Sequence, residues 1–286
     1  MTQPRILFTG TTGLLGRYFL KQKVSGDEVI GISTKDIDIT DKKKIFGFVK
    51  KIHPRIIVHA ASIGNVDYCE KHPKEAFKVN VEGTQNIIEA AKQVKAKIIF
   101  LSSNAIYDGV GAPYDENATA NPIDVYGKTK VEGENLIKKS NLNFCIIRLI
   151  TIYGWPQRGG RSNPVVWVIE SLKKGEKINV VNDVFNNHLW AGQAAEVIWS
   201  IIKRNMEGIF NIAGQDYINR YELALRVADI FKLDKSLIIP MTTDKLNQTA
   251  KRPLRAGLHI NKVLGEINYT SKNTKEALLD MKLRKL

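Results

Sequence analysis

The sequence predicts an α/β fold: a doubly wound parallel sheet with a smaller C-terminal lobe interleaved into it. Three observations predict it. Apolar, β-branched runs alternate with helix-like stretches over the first half of the chain, the pattern of a parallel sheet covered on both faces. The first run, Arg5-Ile6-Leu7-Phe8-Thr9, leads directly into a glycine turn, Gly10-Thr11-Thr12-Gly13-Leu14-Leu15-Gly16, and then into a helical stretch. After Tyr153-Gly154 the texture changes to a loop rich in Gly, Arg and Pro, Trp155–Asn163, followed by separate amphipathic segments.

Taken in order, the predicted strands are Arg5–Thr9, Glu28–Ser33, Arg55–Ala60, Lys97–Ser102, Asn143–Leu149 and Gly208–Ala213. Each is a short apolar run of the kind that a two-sided buried strand requires. The predicted helices between them are Leu14–Gln22, Lys42–Ile52, Pro73–Val94 and Asp124–Lys139. Later come Pro164–Lys174, Tyr221–Phe231 and Thr274–Leu286. Residues 1–154, with a returning strand region at about 182–214, read as the sheet domain. Residues 155–181 and 215–286 read as the second lobe. In such folds ligands bind over the carboxyl ends of the strands, in the cleft between the two parts.

The glycine turn carries the first chemistry. Glycines permit a tight turn and let a pyrophosphate approach the backbone, and the following helix start presents open N–H groups and a dipole that favour an anion. The spacing is G-x-x-G-x-x-G rather than G-x-G-x-x-G. Its place between the first strand and the first helix is the context in which such a loop holds a nucleotide cofactor.

Composition bounds the alternatives. The chain has 286 residues and a formal net charge of +14. Lysines are scattered at helix ends and polar faces, as in Lys42-Lys43-Lys44 and Lys173-Lys174, and no basic block is interleaved with aromatics. The charge therefore reads as a solvated surface rather than a nucleic-acid or membrane-binding patch. A positive field that draws in a nucleotide-linked substrate is the alternative. No apolar run approaches the roughly 18 residues of a membrane span. No signal peptide is expected ahead of the first strand, and Cys69 and Cys145 read as reduced structural thiols, so a cytoplasmic location is expected. The five histidines form no ligand pattern, and no metal site is expected.

Tyr126-Gly127-Lys128-Thr129-Lys130 carries the second chemistry. Tyr126 and Lys130 lie four apart and share one helix face. An ammonium beside a phenol favours the phenolate, so Lys130 is expected to lower the Tyr126 pKa, making it a general acid or base. Upstream, a strand ends in Ser102-Ser103, from which a hydroxyl can reach the same substrate oxygen.

Together these segments resemble the extended short-chain dehydrogenase/reductases, a superfamily with a Rossmann-type fold, over essentially the whole chain. The matching segments are Thr9–Gly16, His59-Ala60-Ala61-Ser62, Val79-Asn80-Val81-Glu82-Gly83-Thr84, Leu101-Ser102-Ser103, the Tyr126/Lys130 pair, and Arg148 followed by Tyr153-Gly154. The resemblance implies a nicotinamide cofactor on Gly10, Thr12, Gly13, Leu14, Leu15, Gly16, Ala60, Ala61, Ser62 and Asn80, with Asp38 and Ile39 at the adenine. It implies that Tyr126 is the general acid/base, that Lys130 holds the nicotinamide ribose and tunes Tyr126, and that Ser103 hydrogen-bonds the substrate. A homodimer is also within what the resemblance implies.

Within the superfamily the chain is most similar to the dTDP-4-dehydrorhamnose reductase branch. The relevant segments are Asn65–Glu70, Asp115-Glu116, Pro122, Val125–Lys130, Asn182-Asp183 and Ala250-Lys251-Arg252-Pro253. The implied reaction is hydride transfer from NAD(P)H to C4 of a nucleotide-linked 4-keto sugar, in dTDP-rhamnose or related carbohydrate biosynthesis. Substrate contacts are expected from Ser103, Asn104, Thr151 and Arg252, with Arg158 and Arg161 further candidates for a diphosphate.

The chain departs from that branch where the sugar is expected. It has Asn104-Ala105 where the branch has Asp-Tyr, Thr151 where it has Trp, and His188-Leu189 where it has Pro-Thr. It also lacks the acidic pair that sugar dehydratases use, which argues against dehydration. At the end of the second strand, Ser33-Thr34-Lys35 offers hydroxyls and a cation that suit a 2′-phosphate, so NADP is preferred over NAD. If Asp36 or Asp38 faces the ribose instead, NAD is the cofactor. Two further readings stay open: a cofactor-binding regulatory subunit, as in a regulatory subunit of methionine adenosyltransferase, and a nucleotide-sugar epimerase.

Overall fold

The structure, a computed structural model, describes residues 4–22 and 26–284. Six parallel strands form the central sheet: β1 (Arg5–Thr9), β2 (Glu28–Ile32), β3 (Ile56–His59), β4 (Lys97–Ser103), β5 (Phe144–Leu149) and a last strand at Gly208–Ile212. Their spatial order is β2, β1, β3, β4, β5, then Gly208–Ile212. The order reverses between β1 and β3, and the segments leaving their carboxyl ends diverge there, which opens a crevice over the sheet.

Why these strands are apolar throughout is visible in their side-chain alternation. Ile6 and Phe8 enter one core with Val58, Ile99 and Ile147. Leu7 enters the other with Ile57, Ile98 and Ile146. Each face is covered by helices, so neither set of side chains meets water. The second core is roofed by α2 (Lys42–Ile52) and by the long helix that ends at Val94. The first is roofed by α1 (Leu14–Lys21) and by a helix at Ala191–Lys203.

That last helix was not apparent from the sequence. Ten of its residues, including Val197, Ile198, Trp199 and Ile201, are buried, and its polar stripe is narrow, only Glu196, Ser200 and Lys203 at i, i+4 and i+7. Trp199 stacks on Phe19 of α1 at 4.4 Å with the rings 4° from parallel, and its indole N–H donates to the Phe19 carbonyl at 3.1 Å.

The expected single helix over Pro73–Val94 is broken. It forms α4 (Pro73–Phe77), a π-helical turn at Lys78–Glu82 and α5 (Gly83–Val94), preceded by a short α3 (Val66–Lys71). The Thr84 hydroxyl donates to the Asn80 carbonyl at 2.6 Å, and the widened turn holds the Asn80 side chain in the interior. The next helix, α6 (Val125–Lys138), is capped by the Asp124 carboxylate, which accepts from the Gly127 N–H at 2.7 Å.

The loop at 155–163 and the helices Pro164–Lys173, Arg220–Phe231 and Thr274–Leu283 follow the sequence reading closely. A parallel pair, Ile178–Val181 with Ile238–Met241, and an antiparallel pair, Phe185-Asn186 with Ile218-Asn219, join them. No helix among the described residues is long and apolar enough to cross a membrane.

Trp199→Ala is expected to lower unfolding stability by about 3–5 kcal/mol, the range for deleting a large buried aromatic. Urea denaturation measures it; a loss under about 1 kcal/mol would show that the Phe19 stack does not hold the two helices together.

Candidate active site

The glycine loop lies against the switch point of the sheet. Gly10 has φ +83, and a Cβ there would sit 2.8 Å from the Ala61 amide nitrogen, so the turn after β1 and the segment after β3 touch backbone to backbone. The Gly10 and Thr11 N–H groups both donate to the Ile32 carbonyl, at 2.8 and 3.1 Å. Gly13 is the N-cap of α1 and brings no capping side chain. The first-turn amides at Leu14, Leu15 and Gly16 are thus left open over the crevice, as an anion site requires. Thr12 is exposed beside them.

Beneath the loop runs a chain of neutral hydrogen bonds. The Thr9 hydroxyl accepts from the Ala60 and Ala61 N–H groups at 3.2 and 3.1 Å, so its own proton goes to His59 Nδ1 at 2.8 Å. His59 Nε2 then carries the ring proton and donates to the Thr84 hydroxyl at 3.0 Å. Burial, helped by the Lys130 charge, pushes the His59 pKa down to about 3, which keeps the imidazole neutral. Ser62 follows at the crevice edge. Asn80 is buried, and its amide is engaged on three sides: it accepts from Ile63 N at 2.7 Å and donates to Ile63 O at 3.2 Å and the Thr129 hydroxyl at 3.0 Å. Thr129 in turn donates to the Tyr126 carbonyl at 2.7 Å. Asn80 therefore clamps the segment after β3 to the first turn of α6.

At the end of β2, the Ser33 N–H and hydroxyl both donate to Asp36, at 2.8 and 2.7 Å, and these bonds hold the exposed Asp36 carboxyl below its usual range. Thr34, Lys35 and Asp38 are exposed, whereas Ile39 is buried against Gly83.

Ser103, Tyr126 and Lys130 converge where α6 crosses the end of β4. Tyr126 is half-buried with its phenol on Ser103. Lys130 is buried; its ammonium donates to the Leu101 carbonyl at 3.0 Å and lies 5.7 Å from the centre of the Tyr126 ring. The expected lowering of the Tyr126 pKa is not what the structure shows. Burial dominates and pushes the phenol up to about 12, with the Ser103 hydrogen bond pulling the other way. Burial also pushes Lys130 down to about 8. Tyr126 is thus a protonated phenol at neutral pH, ready to give a proton.

Several of the residues expected to face a substrate already have other protein partners. Asn104 opens a single 3₁₀ turn after Ser103. Thr151 accepts from the Asn186 amide at 3.1 Å. Arg252 pairs with Asp67 at 2.7 Å, and that bond is the main cause of the lowered Asp67 pKa. Arg161 reaches the Gly64 carbonyl at 3.2 Å, and Arg158 is exposed. A cleft of about 450 Å³ opens nearby, lined by Asn163, Trp167, Asn179, Arg220 and Leu246 among others. Arg220 was missed by the sequence reading. Its Nε has no partner among the described residues, and burial, with Arg252 nearby, lowers its pKa. It stands at a helix start after Asn219 without any motif, so nothing in the sequence marks it. Among the described residues no group of three His, Cys, Asp or Glu side chains is placed to hold a metal ion.

A serine at the end of β4, set against a tyrosine and a lysine one helical turn apart and beside a glycine loop at the switch point, defines the class: the extended short-chain dehydrogenase/reductase type. The chain belongs to the family described as RmlD substrate binding domain, whose model matches residues 4–284. It is 28% identical over 274 residues to methionine adenosyltransferase 2 subunit beta of Bos taurus, an alignment covering 91% of this chain and 81% of that one. The crystal structure of a dTDP-4-dehydrorhamnose reductase from Clostridium acetobutylicum superposes with a TM-score of 0.91 at 30% identity, covering 99% of this chain and 100% of the other. That of a dTDP-4-dehydrorhamnose reductase from Bacillus anthracis in complex with NADP gives 0.93 at 24% identity, covering 99% of each, and shows the shared fold.

His59 and His188 are both buried with pKa values of about 3, His188 through burial and the Arg220 charge. A histidine has a pKa near 6.5 when unfolded. The unfolded chain therefore binds more protons between about pH 3 and 6.5, and stability rises with pH across that window. Each histidine contributes a slope of up to about 1.4 kcal/mol per pH unit. Denaturation series at pH 4–7 are expected to show a shallower slope in His188→Gln; an unchanged slope would show that His188 takes up no proton on unfolding.

Proposed function

We propose that the protein reduces the keto group of a nucleotide-activated 4-keto sugar, with NAD(P)H as the hydride source. The observation that carries this reading is the convergence of Ser103, the Tyr126 phenol and the Lys130 ammonium where α6 crosses the end of β4. A carbonyl oxygen set between Ser103 and Tyr126 gains negative charge as it is reduced. Ser103 orients that oxygen, and Tyr126 gives it the proton. Lys130 lies beside the phenol; as an ammonium it stabilises the phenolate left behind.

The residues present fit a nicotinamide dinucleotide. The cradle at Gly10 excludes any side chain, the first-turn amides of α1 are uncapped, and the floor under them is neutral. When bound, such a cofactor supplies the hydride. Gly10, Thr12, Gly13, Leu14, Leu15 and Gly16 would hold its pyrophosphate, with Ala60, Ala61 and Ser62 beneath it. The exposed Thr34 and Lys35 support NADP as the preferred form, and the Bacillus anthracis relative was solved with NADP. Residues 1–154 and about 182–214 would form the cofactor part. The cleft lined by Arg220, with Arg252 near it, would take the nucleotide diphosphate, since cations that lack or share their acidic partners suit phosphate oxygens.

A second reading is a cofactor-binding regulatory subunit. It is favoured by the bovine relative and by the engagement of Arg252 and Thr151 with Asp67 and Asn186. An epimerase would instead retain its cofactor through purification and need none added.

Purified protein is expected to oxidise NADPH only when a nucleotide-linked 4-keto sugar is supplied, and Tyr126→Phe to lower kcat by about 10²–10⁴-fold. Absorbance at 340 nm follows the reaction. Tight NADP binding without turnover on any such sugar would favour the regulatory reading, and full activity in Tyr126→Phe would remove the phenol from the mechanism.

A further inference from the structure

Tyr126, Lys130 and Glu134 occupy positions i, i+4 and i+8 of α6 and share one face. They meet the end of β4 in turn: Tyr126 at Ser103, Lys130 at the Leu101 carbonyl and Glu134 at the Ser102 hydroxyl. Only the first two have a place in the chemistry above. Glu134 is 3% exposed and receives four donors. Ser102 Oγ and Arg148 Nε reach one carboxylate oxygen at 2.7 and 2.9 Å, and Arg148 Nη2 and Lys138 Nζ reach the other at 2.8 and 3.2 Å. Arg148, also 3% exposed, turns its remaining terminal nitrogen, Nη1, onto the Tyr107 hydroxyl at 2.7 Å and the Glu116 carbonyl at 2.9 Å.

These contacts bracket one residue. Ser102 lies immediately before Ser103 in the chain. Tyr107 lies four after it and closes the intervening turn through its N–H to the Asn104 carbonyl at 3.1 Å. Inside that turn the Ser103 hydroxyl accepts from the Ala105 N–H at 3.2 Å. Beyond it, the Glu116 side chain and the Tyr114 carbonyl are tied to Asn211 of the last sheet strand, at 2.9 and 3.0 Å. Stability alone is a weak account of the pair, because a buried ion pair recovers little more than its desolvation cost and is often replaceable by apolar side chains. Its geometry has another use. A reacting group misplaced by about 1 Å loses on the order of 10²-fold in rate, and Ser103 sits at a strand end where the backbone must turn.

We propose that Glu134 and Arg148 are positioning residues that hold the Ser103 hydroxyl in register with the Tyr126 phenol. The pair fixes the chain on both sides of Ser103 and, with each side chain 3% exposed, acts through its neighbours rather than from the surface of the crevice. The inference rests on the reading of Ser103 and Tyr126 as the reacting pair, and its test has a readout that needs no substrate.

The protein is prepared with 3-fluorotyrosine in place of its nine tyrosines, and the Tyr126 fluorine resonance is assigned by its loss in Tyr126→Phe. Ser103→Ala moves that resonance by removing the phenol's partner. Glu134→Gln and Ser102→Ala are expected to move it in the same direction, together with the Tyr107 resonance. Lys128→Ala, on the exposed side of α6, leaves both in place. Ser102→Ala removes one hydroxyl and keeps the ion pair, so it serves where Glu134→Gln does not fold. With a sugar substrate, both variants are expected to lower kcat by about 10–100-fold while KM for NADPH stays within about twofold. A lower melting temperature with an unmoved Tyr126 resonance would reduce the pair to a structural role and overturn the proposal. If the unsubstituted protein reduces no nucleotide sugar, the reaction assignment fails, and the fluorine shifts still decide the positioning.

Discussion

The close seating of α6 on the end of β4 is the constraint on which the rest of the site depends. At Gly127 a Cβ would lie 2.1 Å from the Ala105 carbonyl oxygen, closer than any side chain tolerates. Glycine there lets the helix backbone rest directly on the turn that follows Ser103. With the helix so close, side chains one and two turns along it can reach main-chain and hydroxyl groups of the strand rather than merely packing against them. The phenol, the ammonium and the carboxylate of that helix face are all placed by this single approach.

Seating a helix so tightly buries polar groups, and the structure satisfies them in two different ways. On the side of the glycine loop the partners are uncharged: Thr9, His59, Thr84, Asn80 and Thr129 pass hydrogen bonds from the strand beneath the loop to α6. On the far side they are charged, Glu134 with Arg148. A neutral floor leaves the start of α1 as the main electrostatic feature of the crevice, a favourable place for an anion. A charged clamp farther from it can be stiff without competing for phosphate. The departures at Asn104, Thr151 and His188 lie outside both networks named here, on the side where the sugar is proposed to bind.

Much of the fold was legible because parallel strands buried on both faces leave continuous apolar runs, and β1 to β5 were bounded to within about a residue on that signal. The helix at Ala191–Lys203 was not, because its polar stripe is only Glu196, Ser200 and Lys203, too narrow to stand out within an otherwise apolar run. The π-turn around Asn80 was hidden for a related reason: it depends on where one amide points, not on the spacing of apolar residues. In the site, Ser103, Tyr126 and Lys130 were readable from their spacing and order. The direction of the Tyr126 pKa was not, since spacing shows the neighbouring charge and hides the burial that outweighs it. Arg220 was illegible because the unpartnered Nε that marks it among the described residues exists only in three dimensions.

The stack of Phe8, Phe19 and Trp199 has a consequence for biosynthesis. Phe8 and Phe19 lie 4.7 Å apart in the first β-α unit, and the indole that covers them arrives 180 residues after Phe19. A ribosome adding about 5–20 residues per second needs roughly ten to forty seconds to bridge that interval. During that time the glycine loop and its helix stand on an unroofed apolar face, even though the opposite face of the sheet can already be closed by α2 and α5. The glycine-loop end of the sheet is thus made long before the helix that seals it, an exposure that falls to chaperones or to early ligand capture to cover.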